Sequence, residues 1–130
     1  MMLVVFWGKL PVEQCSSFIR YGADDEIHWL VHQLKYRHRP DLGRWLGRQM
    51  ALKLQREGFF EGIECIIPVP LHWRRRLKRG YNQSEQLALG VSQITGLPVL
   101  TGYVRRVRDN KTQTHMSHSE RIENVKDLFW

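Results

Sequence analysis

"IIPVPLHWRRRLKRGYNQSEQLA", Ile66 to Ala88, is the stretch on which the reading of this chain turns. An apolar run ends at Pro68 and Pro70, and five cations follow within six residues: Arg74, Arg75, Arg76, Lys78 and Arg79. At an effective dielectric of about 20, two like charges ~6 Å apart repel by roughly 3 kcal/mol before salt screening. So dense a cluster either splays into solvent or faces an anion. Ile63 to Val69, lying between Gly62 and Pro70, is typical of a buried strand, and the prolines fix φ and withdraw two N–H groups where that strand would end. Past Gly80 and Tyr81, Asn82 and Glu85 have capping-box spacing. Leu87, Val91 and Ile94 make the apolar stripe of a helix that Gly96 and Pro98 stop. Val99 to Val104 reads as a second strand. Strand, basic loop, helix and strand predict a βαβ unit with a right-handed crossover and parallel strands.

Ligands of parallel sheets bind beyond the carboxyl ends of the strands, where this basic loop would lie. The first amides of the following helix, its dipole and the guanidinium forks all attract phosphate. Gly80, lacking a Cβ, can take positive φ and bring backbone close to a ligand. Arg79, beside Gly80, is the leading single candidate for an anion contact. Trp73 in the same loop suits stacking on an unpaired base, with Arg74, Arg75 and Lys78 as further nucleic-acid contacts. A solvated loop with its arginines spread apart is the rival reading.

Working outward, Leu3 to Trp7 and Cys15 to Tyr21 read as short strands. "DDEIHWLVHQLKY" is a helix, with acidic residues at its start and Ile27, Leu30, Val31 and Leu34 on one face. A second basic run, "KYRHRP", ends at Pro40, which disfavours helix at Arg39. "DLGRWLGRQMALKLQ" is the next helix, with Asp41 as its expected cap and Leu42, Leu46, Met50 and Leu54 in line. Arg44 and Arg48 fall on another face. Arg105 to Met116 is polar and is expected to form an exposed, mobile loop. Ser117 and Glu120 have capping-box spacing before a short helix carrying Ile122, Val125 and Phe129.

The 130 residues suit one domain, and a formal net charge of +7 points to an acidic partner or simply to solubility. Cys15 and Cys65 form no metal or redox motif, which fits a reducing cytoplasm. "MMLVVFWGKL" is too short for a membrane span and lacks the basic start of a signal peptide. His28 and His32 have a spacing that can hold a metal, but no third ligand is evident, so no metal site is assigned. No Ser-His-Asp or reactive-cysteine arrangement is legible, and no catalytic residue is assigned.

Taken together, these pieces resemble the ComF family of competence-associated proteins, which have a type I phosphoribosyltransferase fold. The likeness is carried by Pro68-Val69-Pro70-Leu71-His72 and by Arg79-Gly80-Tyr81-Asn82-Gln83. It continues in the Lys-Tyr segment of "LKYRHRPDLGRWLG" and in Gln113, Arg121, Asn124 and Phe129. It runs from about Phe6 onward. The resemblance implies one incomplete α/β domain over residues 1–130. This would comprise an N-terminal strand and helix segment over 1–62 and a parallel βαβ core with the basic loop over 63–130, the C-terminal half of the sheet missing. It implies that Leu71, His72, Arg76, Arg79, Gly80, Tyr81, Asn82 and Gln83 hold phosphate or pyrophosphate groups of phosphoribosyl pyrophosphate or a nucleotide. Mg2+ would accompany those phosphates, and the segment carrying Arg106, Arg108, Lys111 and Gln113 would fold over the site.

The resemblance places the family's acidic pair and Thr-Thr-Gly turn beyond Phe129, so either a fragment or truncated chain, or a protein that has lost that half-site, is expected, in each case without transferase competence. The resemblance adds a link to DNA uptake and natural transformation. Two rivals to transferase chemistry are a module that binds single-stranded DNA and an adaptor for a competence or helicase protein. An exposed sheet edge would favour self-association.

Overall fold

Residues 13–16, 25–109 and 116–125 are described by the structure, a computed structural model. Among them the regular elements are helices: α1 (Asp25–Tyr36), α2 (Pro40–Arg56), α3 (Trp73–Arg79), α4 (Gln83–Thr95) and α5 (His118–Val125). The chain divides into two compact units, Met1–His32 and Gln33–Trp130. The predicted strand at Leu3 to Trp7, most of that at Cys15 to Tyr21, and Phe129 lie outside the described residues.

The expected α/β architecture is corrected. No strand is present among the described residues, and the predicted parallel βαβ core reduces to one isolated parallel bridge between Ile66 and Val99. Ile66 N–H donates to Pro98 O at 2.9 Å, and Leu100 N–H donates to Ile66 O at 2.9 Å. The next donor on this edge would be the amide of residue 68, but proline has none. On the other side the donor to Glu64 O would be the amide of residue 98, again a proline. Each proline thus removes one bond from a longer ladder, however apolar the flanking residues are. Without a sheet there is no sheet edge among the described residues to support the expected self-association.

The second unit is organised around α2 and α4. The residues that α2 buries are Gly43, Leu46, Gly47, Ala51 and Leu54, a face of small side chains interrupted by two leucines. From α4 come Ala88, Gly90 and Val91. A Cβ on Gly47 would lie 2.1 Å from Leu87 O, and one on Gly90 would lie 2.1 Å from Arg44 O. The two helices thus touch backbone to backbone, which only glycine permits at these positions. At Gly43 a side chain would crowd Gln86 Cβ at 2.9 Å and Leu34 Cδ1 at 3.3 Å, so the end of α1 is seated there too. Hydrogen bonds flank the crossing, from Arg44 Nη1 to Gln86 Oε1 (2.6 Å) and from Arg48 Nη1 to Gln93 Oε1 (2.9 Å).

Helix ends follow local chemistry, with one change from expectation. Pro40 occupies the first turn of α2, where its missing N–H has no intrahelical partner to lose. Asp41 does not cap that helix; it pairs with Arg39 through two 3.1 Å contacts. That pair holds the exposed Asp41 carboxyl below its usual range and raises Arg39. Ser117 and Glu120 form the reciprocal capping box: Ser117 N–H donates to Glu120 Oε2 (2.6 Å) and Glu120 N–H to Ser117 Oγ (3.3 Å).

The glycine crossing makes an unusual prediction. Alanine in a helix interior is ordinarily favoured over glycine by about 1 kcal/mol. Gly90→Ala should instead destabilise by about 1–3 kcal/mol, because the added methyl must force α2 and α4 apart. Urea unfolding followed by circular dichroism measures it, and a midpoint equal to or above the wild type would contradict the backbone contact.

Candidate anion-binding site

The basic run predicted as a loop is helix α3, and its charge makes that helix improbable without support. Five of its seven residues are cationic, and like charges three and four apart oppose helix formation. Both ends are tied down. The buried His72 precedes the helix, and its Nδ1 accepts from Arg74 N–H at 3.4 Å. Gly80 closes the other end in the left-handed conformation, φ 80°, with its N–H given to Arg76 O at 2.8 Å.

Tyr81 and Asn82 then anchor the turn into α4. The Tyr81 hydroxyl donates to Leu34 O at the end of α1. Burial pushes its pKa above the usual tyrosine value. Asn82 is buried and bridges two segments: Nδ2 donates to Val69 O (3.0 Å) and Oδ1 accepts from Ser84 N–H (3.1 Å). The Gly80 and Ser84 amides are thus engaged within the chain. The positive groups presented to solvent around α3 are its guanidinium and ammonium groups.

These cations share a wall with a distant part of the chain. A groove of ≈ 430 Å³ is lined by Lys35, Tyr36, His38, Arg74, Arg75, Lys78, Arg79 and Asp109. Arg74 and Lys78, and likewise Arg75 and Arg79, are four residues apart and so share one side of α3. The Arg79 guanidinium lies 5.9 Å from the centre of the Tyr36 ring, and that of Arg74 lies 5.3 Å from Trp73, within reach of cation–π attraction. His38 has φ 49°, a left-handed conformation that histidine tolerates better than most residues. Its Nδ1 would be 3.1 Å from any Cβ at Gly80, so the bare glycine gives the imidazole its place.

A second cleft, of ≈ 320 Å³, includes Leu71, Trp73, Arg76, Asn82, Glu85, Thr101, Arg105 and Arg106 in its lining. Arg76 Nη2 is 3.7 Å from Glu85 Oε2, and Arg75 Nε is 3.0 Å from Asp109 Oδ1. Burial lowers the Arg106 pKa most, followed by the positive charge of Arg75; Arg79 adds to the lowering and Asp109 opposes it.

The structure distributes the sequence-derived candidates among several roles. Arg74, Arg75, Lys78 and Arg79 line the cationic groove, whereas Leu71, Trp73, Arg76, Asn82 and Arg106 line the second cleft. His72, Gly80 and Tyr81 shape the ends of α3, and Gln83 opens α4 with a buried Nε2 that lacks a hydrogen-bond partner. Arg108 is exposed, and Lys111 and Gln113 lie outside the described residues. Lys35, Tyr36, His38 and Asp109 were not singled out for the groove, although the basic run "KYRHRP" held the signal for the first three. Among the described residues no three His, Cys, Asp or Glu side chains gather as a metal site requires. Nor is any described helix long and apolar enough to cross a membrane.

The groove gathers cations beside an aromatic ring, and sequence comparison gives the family. Over 103 residues, 77% of its length, the chain is 33% identical to competence protein F of Haemophilus influenzae. It is 35% identical to DNA utilization protein YhgH of Salmonella typhimurium and 32% identical to that of Escherichia coli K12 over the same length. The chain belongs to the ComF family. It spans about half the length of these curated relatives, 45% in each case. No family model and no solved structure matches it.

Tyr81→Phe tests the anchoring of α3. Loss of the hydroxyl should cost about 0.5–1.5 kcal/mol. A tyrosine whose folded pKa is raised contributes stability that is full below its unfolded pKa, about 10, and lost as pH rises through the folded value. The variant should therefore lose a late step in the ultraviolet titration of tyrosine and lose less stability than the wild type on going to alkaline pH. An unchanged titration curve would contradict the buried hydroxyl.

Proposed function

We propose that this chain serves DNA utilization during competence by holding the backbone phosphates of single-stranded DNA in the cationic groove. The observation that carries this reading is the convergence of Lys35 with Arg74, Arg75, Lys78 and Arg79 on one groove. Arginine forks and lysine ammonium groups neutralise phosphodiesters without regard to sequence. Tyr36, 60% exposed, and Trp73, also 60% exposed, offer ring faces on which unpaired bases can stack. The names of the relatives, competence protein F and DNA utilization protein YhgH, support the same process.

A second reading takes phosphoribosyl pyrophosphate or a nucleotide as the ligand. Arg76, Arg105 and Arg106 in the second cleft favour it, together with Thr101, as does the family motif around Gly80. Mg2+ would accompany the phosphates of that ligand. Calorimetry with phosphoribosyl pyrophosphate and Mg2+ separates this reading from the first. If neither ligand binds, an adaptor for a competence or helicase protein becomes the better account.

Binding of a labelled oligothymidylate, followed by fluorescence anisotropy across a salt series, tests the first reading. The logarithm of affinity should fall linearly with the logarithm of salt, by about 0.7 for each phosphate neutralised. Arg79→Ala should weaken binding and make that slope shallower by about 0.7. A salt-independent affinity, or an Arg79→Ala variant that binds as the wild type does, would remove the groove from DNA binding.

A further inference from the structure

We infer that Asp109 is a built-in competitor of the groove, a carboxylate occupying Arg75 where a ligand phosphate would bind. The inference rests on the reading of the groove as a phosphate site and adds the residue that sets its affinity.

Among the described residues, Asp109 is the one acidic side chain in the groove lining, beside Lys35, Arg74, Arg75, Lys78 and Arg79. Its Oδ1 accepts from Arg75 Nε at 3.0 Å, and the two side chains remain 35% and 27% exposed. A pair open to water to that degree adds little to folding stability, so stability is a weak reason for this contact. A carboxylate and a phosphate present similar oxygens to a guanidinium, so Asp109 and a ligand phosphate compete for Arg75. Asp109 also offsets part of the repulsion that Arg75 and Arg79 exert on Arg106 in the second cleft. Each ligand that enters must displace this carboxylate or accept its repulsion. The groove therefore binds DNA more loosely than its count of cations implies.

The test is oligothymidylate binding at low salt by the wild type and three variants of the full chain, each first checked for wild-type circular dichroism. Asp109→Asn should tighten binding about threefold to tenfold, and the gain should shrink as salt rises. Asp109→Glu keeps the charge and should stay within about twofold of the wild type. Asp41→Asn makes the same change in formal charge but lies outside the groove lining, beside Arg39. It should also stay within about twofold.

Tightening by Asp109→Asn alone supports the competitor. If the wild type binds and Asp109→Asn binds no tighter, or only as much tighter as Asp41→Asn, the competitor falls while the groove reading stands. Weaker binding by Asp109→Asn also overturns it, since Asp109 would then be positioning Arg75 for the ligand. If neither the wild type nor any variant binds, both the competitor and the groove reading are lost.

Discussion

The close approach of α2 and α4 is the constraint on which the rest of the second unit depends. Gly47 and Gly90 leave no room for even a methyl group between the two backbones. That contact fixes where α4 runs, and so where its first residue, Gln83, begins. Asn82, immediately before it, reaches Val69 through one side-chain atom and caps α4 through the other. The position of α3 is inherited from this arrangement. Its last residue, Arg79, and the start of α4 are separated only by Gly80, Tyr81 and Asn82, all three held in place.

Such anchoring matters because α3 would not persist as a free peptide. A seven-residue helix is far below the length at which isolated helices are stable, and five of its side chains repel one another. The compensation comes from its surroundings. His72 and Gly80 satisfy backbone groups at its two ends, and Asp109 and Glu85 each approach one of its arginines. The Tyr81 hydroxyl ties the following turn to the end of α1. Charge concentrated in this way is tolerated because neutral geometry holds the backbone while the cations remain near solvent.

The sequence revealed the helices better than the sheet. The Leu30–Val31–Leu34 spacing, the stop at Gly96 and the Ser117–Glu120 pair each rest on interactions within a few residues, and such signals survive without tertiary context. Among the described residues the sheet is absent for a reason the sequence itself contains. Pro68 removes the donor next after Ile66 and Pro98 the donor on the other side, leaving one bridge where the apolar run predicts a ladder. Helix α3 was hidden by its charge: the closures by His72 and Gly80 lie within a few residues of each end, but five like charges argue against a helix. The leucines of α2 were legible as a core stripe; that Gly43 and Gly47 form the contact surface depends on Gly90, more than forty positions away.

The groove shows the same division between local and distant causes. The arginines of α3 announce themselves in one glance at the sequence, and their family motif is contiguous. Lys35, Tyr36 and His38 belong to a different basic run, and Arg79 meets Tyr36 only because the end of α1 is seated against Gly43 while α4 is seated against α2. Two cationic runs that would repel in an extended chain are thus brought to one groove by uncharged contacts elsewhere. Polar chemistry selects what the groove can bind. The glycines determine that a groove exists at all, so a substitution in the apolar crossing can dismantle it without touching a single charge.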